Sequence, residues 1–400
     1  MSKQIQEAYI VAATRLPVAR RKGMFGHVRP DDMLAHAIKS VLAQAPAIDP
    51  KLVDDVIVGC AMPEAEQGMN VARIALLLAG LPNTVPGYTI NRFCSSGVQA
   101  VADAAARIRL GEADVMIAGG TETMSLMNQM MGNKIAMNPA IFEQEENYAI
   151  AFGMGLTAEK VAAQWKISRE DQDAFAVASH QKAVAAIAAG HFKAEISPYA
   201  VKAHVPNLRS GQVTIKEYVA DTDEGPRPDS SLEKLARLKP VFAARGSVTA
   251  GNSSQMSDGA AAVLLVSEKM LKQFNLKPLA RFAGFAVAGV PPEIMGIGPI
   301  EAIPRVLRQT GISRQDVNWI ELNEAFAAQA LAVMRQLDLD PAKVNPLGGA
   351  IALGHPLGAT GAIRTATVVH GLQRTKQRYG MVTMCIGTGM GAAGLFEAIL

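Results

Sequence analysis

Strand-forming runs alternate with runs of helical spacing along this chain, and the alternation limits the possible folds more than any other feature of the sequence. Val56–Gly59 and Val115–Ala118 are predicted strands. Between them, apolar residues at helical spacing run from Val98 to Ile108, and Gly111 is a natural C-terminal stop. Strands that alternate with helices are typical of an α/β fold with parallel strands.

The C-terminal part of the chain repeats the same plan. Asn318–Leu322 is a predicted strand, and Gly358–Gly361 opens a predicted helix that ends near Gly371. Tyr379–Cys385 is a further predicted strand, and it ends in a cluster of glycines. The similar order of elements indicates two halves that arose by duplication.

The middle of the chain has a different composition. From about Thr121 to Ala244 it is richer in Met, Gln, Asn and charged residues, with a predicted helix at 157–191 and a turn-rich stretch at 206–228. Residues 247–251 return to α/β character. We interpret the segment as an insertion that forms a lid or a ligand-binding lobe. Plain surface elaboration is the alternative that the sequence leaves open.

Composition excludes several functional classes. Of the 400 residues, 49% are hydrophobic, 19% are charged and 5% are aromatic. This is typical of a globular protein and gives little material for stacking on single-stranded nucleic acid. A net charge of +3 is too small to indicate nucleic acid or a membrane surface, and the apolar runs end well short of a membrane span. We expect no nucleic-acid binding, no membrane insertion and no secretory signal.

The three cysteines, Cys60, Cys94 and Cys385, lie far apart in the sequence. No CxxC or paired Cys/His spacing indicates a metal site, so we expect no metal. The odd number of cysteines disfavours a disulfide framework. A reducing, cytoplasmic compartment is the simpler expectation.

Cys94 is the strongest candidate for chemistry among them. It follows a β-favouring run at 88–90 and precedes a helical pattern that starts near Gly97, which puts its thiol at or near the first turn of a helix. Unpaired backbone N–H groups and the positive end of the helix dipole favour a thiolate there. The pattern predicts a nucleophile. Cys60 follows a strand without such surroundings, and we expect it to be structural.

His355 and Cys385 both lie beside glycines. Gly354 and Pro356 constrain the backbone around His355 and display its ring, and an imidazole near Cys94 would act as the base of that thiol. Cys385 ends an apolar strand, and the glycines after it leave backbone N–H groups free for an oxyanion hole. A structural histidine and an inert buried cysteine are the alternatives.

One motif in the same region is a false match. Residues 389–394 fit GxGxxG after a strand, the pattern of a dinucleotide site. Only six residues follow, too few for the helix, second strand and acidic residue that such a site needs. We therefore expect no nicotinamide cofactor.

Eight segments together resemble the thiolase family of acyl-CoA-handling enzymes. They occur in the family's order and span the chain from end to end. The segments are Asn91–Gly97, Gly119–Ser125, Met154–Glu159, Thr249–Ser254, Asp258–Ala260, Asn323–Phe326, Gly348–Gly358 and Cys385–Gly391. The resemblance implies a five-layer α-β-α-β-α fold of two similar halves with mixed sheets and an inserted loop domain. The implied boundaries are 1–120 with 245–274 for the N-terminal half, 121–244 for the inserted CoA-binding lobe, and 275–400 for the C-terminal half.

The resemblance also implies an acyltransferase that cleaves 3-ketoacyl-CoA with coenzyme A to acyl-CoA and acetyl-CoA, in fatty-acid β-oxidation. Carried over residue by residue, Cys94 is the acylated nucleophile, His355 its activator and Cys385 the acid/base. Asn323 would hold a water that, with His355, stabilises the thioester enolate oxygen. The backbone N–H groups of Cys94 and Gly387 would form the second oxyanion hole.

Coenzyme A enters as a co-substrate, and the resemblance implies no permanently bound cofactor. The residues it assigns to coenzyme A are Met154, Arg227, Phe242, Ser254 and Phe326. Arg227 would meet adenine or phosphate, with a solvated surface charge as the alternative, and Ser254 would bond the pantetheine amide. Gly153 stands where some short-chain biosynthetic members carry a histidine, which favours a degradative enzyme with a broader acyl range.

Three other functions stay open on the sequence. They are a biosynthetic acetoacetyl-CoA thiolase, a decarboxylating condensing enzyme of the same superfamily, and a non-catalytic thiolase-like protein that binds acyl-CoA or lipid. A condensing enzyme would carry a second histidine in place of Cys385, and the four catalytic side chains argue against a non-catalytic protein. By resemblance we expect a homodimer or homotetramer, and a β-oxidation multienzyme is a further candidate partner. The chain does not end in the Ser-Lys-Leu peroxisomal address.

Overall fold

A computed structural model describes residues 5–127 and 137–400 of the chain. Its strands are β1 Ala8–Arg15, β2 Ala19–Arg20, β3 Asp55–Gly59, β4 Gly87–Ile90, β5 Val115–Thr123, β6 Tyr199–Pro206, β7 Val213–Ala220, β8 Ser257–Ser267, β9 Ala280–Gly289, β10 Val317–Leu322, β11 Tyr379–Ile386 and β12 Met390–Ala398. Its helices are α1 Pro30–Ala43, α2 Val71–Leu78, α3 Ser96–Arg109, α4 Met154–Gln164, α5 Arg169–Ala188, α6 Leu232–Ala236, α7 Glu268–Phe274, α8 Gly298–Thr310, α9 Ala327–Gln336, α10 Ala350–Leu353 and α11 Leu357–Thr375.

The main sheet is symmetric about a seam between β1 and β9. From the seam outward, the first half runs β1-β8-β5-β3 and the second runs β9-β12-β11-β10, with β4 added beyond β3. In each half the two inner pairs are antiparallel and the outer pair, β5/β3 or β11/β10, is parallel. The seam is a short antiparallel pairing of Tyr9 with Arg281 and of Ile10 with Ala280. The expected two similar halves with mixed sheets are confirmed, and the seam joins them into one hydrogen-bonded path.

Alternate residues along the strands face different helical layers. Val58 packs on the side of α1 and α2, whereas its neighbour Ile57 packs against the pair α3 and α11. In the second half, Val382 faces that same helix pair and Met381 faces α8 and α9. Because successive strand residues point to opposite faces, each half-sheet is covered on both sides. The layers therefore run α-β-α-β-α, with α3 and α11 in the middle.

Several predicted elements of this framework are confirmed. The predicted strands correspond to β3, β5, β10 and β11. The helix predicted before Gly111 is α3, and Gly111 has a φ of +69°, the left-handed conformation that glycine adopts at helix ends. The helix predicted to end near Gly371 is α11, which continues one turn further, to Thr375.

The middle segment and the residues just after it differ from their predictions in three places. The helix predicted over 157–191 is two helices, α4 and α5, because Lys166 takes a left-handed φ of +54° and Ser168 then caps α5. The turn-rich stretch at 206–228 contains β7, which forms an antiparallel hairpin with β6. Residues 247–251 form no strand, and the return to the sheet comes at β8. None of the helices in the described ranges is long and apolar enough to cross a membrane.

Candidate active site

Two central helices begin at the same place in the molecule because glycines let their backbones touch. A Cβ on Gly97 would overlap the backbone of Ala362 in α11, and a Cβ on Gly361 would overlap the backbone of Val98 in α3. Cys94 lies two residues before α3, and His355 lies two residues before α11. The crossing thus brings these distant segments of the chain together.

Cys94 lies in a 3₁₀ turn, Phe93–Ser95, that leads into α3. Phe93 has a φ of +45°, a left-handed conformation that is rare for a bulky residue and turns the chain sharply before the thiol. The side chain of Cys94 is 8% exposed. Burial raises the pKa of this thiol to about 11, although hydrogen bonds from the backbone N–H groups of Gly387 and of Cys94 itself lower it.

The expectation that this position favours a thiolate is therefore wrong for the resting site. The helix terminus does supply N–H groups to the sulfur of Cys94, as the local pattern predicts. Removal of the sulfur from water outweighs them, because desolvation disfavours the charged form of a buried group. The resting group is a neutral thiol.

Cys385 is a close neighbour of Cys94. It lies near the end of β11 and is fully buried, and the three cysteines are all free thiols. Burial, and then the proximity of Cys94, raise the pKa of Cys385 well above its ordinary value. The chain turns after it through Gly387, Thr388 and Gly389, and the last two have φ values of +70° and +92°. This turn presents the N–H of Gly387 to the sulfur of Cys94.

Hydrogen bonds on both ring nitrogens fix the state of His355. Nε2 is 3.3 Å from Nδ2 of Asn323, and Nδ1 is 2.7 Å from Oγ1 of Thr360. An amide nitrogen only donates, so Nε2 carries no proton and Nδ1–H donates to Thr360. Burial, and then the charge of Arg364, lower the pKa of His355 to about 3. The ring is neutral, and Nε2 is the nitrogen that can take up a proton.

Asn323 follows β10, and its neighbour Glu324 braces the loop that carries the histidine. Oδ1 of Asn323 is buried and has no hydrogen-bond partner among the described residues, so it is a free acceptor next to the ring. The carboxylate of Glu324 accepts from Ser179, Asn345 and the backbone N–H of Ile351 in α10. These bonds fix the segment between β10 and His355.

The residues assigned to coenzyme A form two adjoining groups. Met154 lies beside the Gly387 turn, and the rings of Phe242 and Phe326 meet edge to face, 6.1 Å apart. Arg227 lines a separate cavity of about 240 Å³ with charged and apolar neighbours. Ser254 does not line that cavity, although the residues on either side of it do.

The cavity and the aromatic pair are connected through two backbone contacts. Ser253, which lines the cavity, forms a β-bridge with Phe326, and Ser254 donates from its backbone to the carbonyl of Ala325. The two groups therefore form one continuous wall that leads toward the sulfur atoms.

Sequence reasoning missed three residues of this site. Thr360 lies in the first turn of α11 and sets the histidine tautomer, and a hydroxyl among small residues at the start of the helix is the signal of it. His180 lies in α5, where its Nδ1 accepts from the backbone N–H of Arg227 at 3.1 Å; no local pattern marks it. Glu122 is a carboxylate in an otherwise uncharged strand, which is a readable signal. Across residues 5–127 and 137–400, no cluster of three or more His, Cys, Asp or Glu could hold a metal ion.

Comparison with known proteins gives full-length matches. The family models described as Thiolase, N-terminal domain, and Thiolase, C-terminal domain, match residues 8–269 and 276–398. The 3-ketoacyl-CoA thiolase of Bacillus subtilis (strain 168) is 51% identical over 98% of this chain and 100% of its own length. The crystal structure of the Bacillus anthracis acetyl-CoA acetyltransferase is 41% identical, covers 100% of both chains and gives a TM-score of 0.89. The crystal structure of human mitochondrial 3-ketoacyl-CoA thiolase is 38% identical, covers 99% of this chain and 100% of its own, and gives a TM-score of 0.88.

Proposed function

Because the chain belongs to the thiolase family, we propose that it cleaves 3-ketoacyl-CoA with coenzyme A to acyl-CoA and acetyl-CoA through an acyl group carried on Cys94. It is an acyltransferase of the thiolase type. The observation that supports the Cys94 intermediate best is that Cys94 and Cys385 share one buried site, with the N–H of Gly387 directed at the sulfur of Cys94.

The first half-reaction forms the acyl-enzyme. The thiol proton of Cys94 moves to Nε2 of His355 as the sulfur attacks the 3-keto carbon. The keto oxygen becomes an oxyanion, and the N–H groups of Cys94 and Gly387 donate to it. The bond between C2 and C3 then breaks, and its electron pair leaves as the enolate of acetyl-CoA. Cys385 gives that enolate a proton, while Asn323 and the protonated His355 stabilise the enolate oxygen.

The second half-reaction returns the enzyme to its starting state. The thiol of coenzyme A loses its proton to the Cys385 thiolate and attacks the acyl carbon on Cys94. The sulfur of Cys94 leaves and takes back the proton from His355, so every proton is accounted for. Burial supports these roles, because it keeps Cys385 protonated and ready as an acid before the reaction starts.

Coenzyme A is the co-substrate in this proposal. Arg227 binds its adenine or phosphate groups in the 240 Å³ cavity, and Ser254 hydrogen-bonds the pantetheine amide. Met154, Phe242 and Phe326 line the path of the pantetheine arm toward Cys94. The charge of Arg227 and the apolar ring pair match a ligand with a charged head and a long, largely apolar arm.

The proposed direction is degradative, in fatty-acid β-oxidation. A Cβ on Gly153 would meet no heavy atom of the described residues within 4 Å, and this open start of α4 next to Met154 supports room for longer acyl chains. A biosynthetic acetoacetyl-CoA thiolase is the second candidate, which the likeness to the Bacillus anthracis acetyl-CoA acetyltransferase supports. Rates of CoA-dependent cleavage of acetoacetyl-CoA and of longer 3-ketoacyl-CoAs distinguish the two. We expect the longer substrates to give the higher kcat/KM, and a preference for acetoacetyl-CoA alone would favour the second candidate.

We propose a homodimer or homotetramer that assembles through the β4 edge of the sheet. β4 ends the strand order, and next to it α2 and its preceding loop expose the apolar side chains of Met69, Leu77 and Leu78. An unpaired strand edge beside apolar surface is suited to pairing with a second copy. Light scattering after gel filtration tests this, and a monomer at micromolar concentration would contradict it. A β-oxidation multienzyme remains a candidate partner.

We also propose a division of the chain into domains and a cellular location for the protein. We assign residues 1–120 and 245–274 to the N-terminal half, 121–244 to an inserted lobe that binds coenzyme A, and 275–400 to the C-terminal half. Arg227 and Phe242 lie in that lobe, which supports its binding role. We propose a cytoplasmic location, because a mechanism with two catalytic thiols needs a reducing compartment.

Replacement of the nucleophile tests the proposed intermediate. In Cys94→Ala we expect thiolysis to fall by at least about 10⁴-fold, because no acyl-enzyme forms. In Cys385→Ala we expect slow turnover, but Cys94 should still react with iodoacetamide. Near-normal cleavage by a folded Cys94→Ala variant would show that another group is the nucleophile.

A further inference from the structure

Glu122 is a fully buried carboxylate whose hydrogen-bond partners all donate to it. It accepts from the backbone N–H groups of Ala61 at 2.8 Å, Met62 at 3.3 Å and Gly358 at 2.8 Å, and from the side-chain amide of Gln67. The amide of Gln67 is oriented, because its Oε1 accepts from the backbone N–H of Thr123. These donors favour the ionised carboxylate, although burial opposes ionisation.

The carboxylate joins the two halves of the molecule at the active site. Gly358 is the second residue of α11, three residues after His355, and the residue before the helix, Pro356, has no side-chain oxygen to cap it. Glu122 supplies the missing acceptor from β5, a strand in the first half of the main sheet. The position of His355 therefore depends on a side chain of the opposite half.

The same carboxylate is connected to the segment that carries Cys94. Ala61, which donates to Glu122, accepts through its carbonyl from the side chain of Asn91, three residues before the thiol. The backbone N–H of Cys60 also donates to Ile90. One chain of hydrogen bonds thus runs from the Cys94 segment through Ala61 and Glu122 to the start of α11.

The charge of Glu122 also reaches the nucleophile. Burial raises the pKa of Glu122 to about 7. Burial is also the largest cause of the raised pKa of Cys94, and the charge of Glu122 adds a smaller contribution to it. The titratable side chains around it are the thiols of Cys60, at 3.7 Å, and Cys94, and the carboxyl of Asp258 on the neighbouring strand β8. Asp258 is occupied by the backbone N–H groups of Met124 and Ser125.

We propose that Glu122 is a positioning residue: its carboxylate sets the place of His355 relative to Cys94, and its negative charge adds to the effect of burial in keeping the Cys94 thiol protonated in the resting enzyme. The inference rests on the proposed roles of Cys94 and His355. It goes beyond them because it assigns a function to a group that touches neither substrate nor the reacting atoms.

The variant Glu122→Gln tests both parts, since it keeps the size of the side chain and removes its charge. We expect kcat to fall about 10- to 100-fold with KM changed less than about threefold, as for other groups that orient a reactive residue. We also expect alkylation of Cys94 by iodoacetamide at pH 8 to become about three- to tenfold faster, because the thiol loses a neighbouring negative charge. General loosening of the fold would also lower kcat and expose the thiol, so the pH profile of alkylation is the distinguishing readout. Loss of the charge moves the midpoint of that profile to lower pH, whereas loosening also raises the limiting rate at high pH.

Two control variants separate charge from position. Glu122→Asp keeps the charge and shortens the arm, so kcat should fall while the pH profile of alkylation stays that of the wild type. Asp258→Asn removes another buried carboxylate from the adjacent strand, and its alkylation profile should also match the wild type. An unchanged kcat in folded Glu122→Gln, or an unchanged alkylation profile, overturns the proposal.

Two further measurements keep the test decisive. If Glu122→Gln does not fold, Gln67→Ala removes one donor to the carboxylate; a fall in kcat of at least about threefold at constant KM supports the proposal, and an unchanged kcat overturns it. Alkylation of the wild-type enzyme, done before the variants are compared, tests the proposed function separately. If modification of Cys94 leaves wild-type turnover intact, the proposed function itself fails, and this inference falls with it.

Discussion

At the scale of single residues, the site depends on which nitrogen of His355 carries a proton. The sequence predicts that Cys94 and His355 belong to one site, and the crossing of α3 and α11 brings their segments together. It predicts the wrong charge state for Cys94, because the helix terminus is visible in the local pattern whereas burial depends on residues hundreds of positions away. The tautomer of His355 was equally out of reach, since it depends on Thr360 and Asn323 together.

Thr360→Val tests the role of the tautomer. Valine keeps the shape of threonine but cannot accept from Nδ1–H, so the buried proton loses its partner and the ring can place it on Nε2 instead. We expect kcat to fall about 10- to 100-fold with little change in KM. Thr365→Val is the matched control, because the hydroxyl of Thr365 donates to the carbonyl of Gly361 in the same helix; its kcat should stay within about twofold. Equal effects in the two variants would contradict the assignment.

The buried side chain of His180 should make the folded protein less stable in acid. Burial, and then the charge of Arg227, lower the pKa of His180 to about 4. Between pH 6.5 and 4 the unfolded chain therefore binds a proton that the folded chain does not, so this group lowers the free energy of unfolding as the pH falls through that window. Denaturant titrations at pH 7 and pH 4.5 measure how much the free energy of unfolding falls between the two pH values. In His180→Asn this fall should be smaller than in the wild type by about 1–3 kcal/mol. A loss of the same size in both proteins would contradict the lowered pKa.

At the scale of elements, the framework was more predictable than the insertion. Buried strands such as β3 and β5 are continuous apolar runs, and α3 has clear helical spacing, so both are readable from the sequence. The strand β7 was missed because most of its residues are exposed, so no buried face marks it as part of a sheet. The break between α4 and α5 was missed because a left-handed Lys166 has no sequence signature.

The close crossing of α3 and α11 should not tolerate an added methyl group. Gly361→Ala adds a methyl group against the backbone of Val98, where no flexible side chain can move aside. Although alanine favours a helix by about 1 kcal/mol, we expect a net loss of at least about 2 kcal/mol in the free energy of unfolding, together with a lower kcat. Gly289→Ala is the control, because a Cβ there meets none of the described atoms within 4 Å, and its stability should change by less than about 0.5 kcal/mol. A stabilised Gly361→Ala variant would mean that the helices are not in close contact.

At the scale of the whole molecule, the inserted segment is fastened to the sheet by a buried ion cluster. Arg15, at the end of β1, donates to Glu195 at 2.6 Å and to both oxygens of Asp223, at 2.7 and 2.9 Å. These three side chains are almost fully buried. The cluster, like the seam between β1 and β9, joins residues that are far apart in sequence, which explains why neither was predicted.

Removal of one charge from that buried ion cluster should lower the free energy of unfolding. In Asp223→Ala the guanidinium of Arg15 keeps only one carboxylate partner in the interior, and we expect a loss of about 3–5 kcal/mol in the free energy of unfolding. Glu233→Gln breaks the exposed pair with Arg237 and should cost less than about 0.5 kcal/mol. Denaturant titration of both variants checks the difference. Similar small losses would show that the cluster does not hold the insertion.

The acyl-enzyme on Cys94 is the central claim, and peptide mass measurement tests it most directly. Trypsin leaves each cysteine in a separate peptide, with Cys94 in residues 93–107, Cys60 in 52–73 and Cys385 in 379–400. The enzyme is incubated briefly with a 3-ketoacyl-CoA in the absence of free coenzyme A, quenched in acid and digested. The account predicts that peptide 93–107 alone gains the mass of the acyl group. An acyl group on either of the other peptides, or on none of them while acetyl-CoA is released, would contradict it.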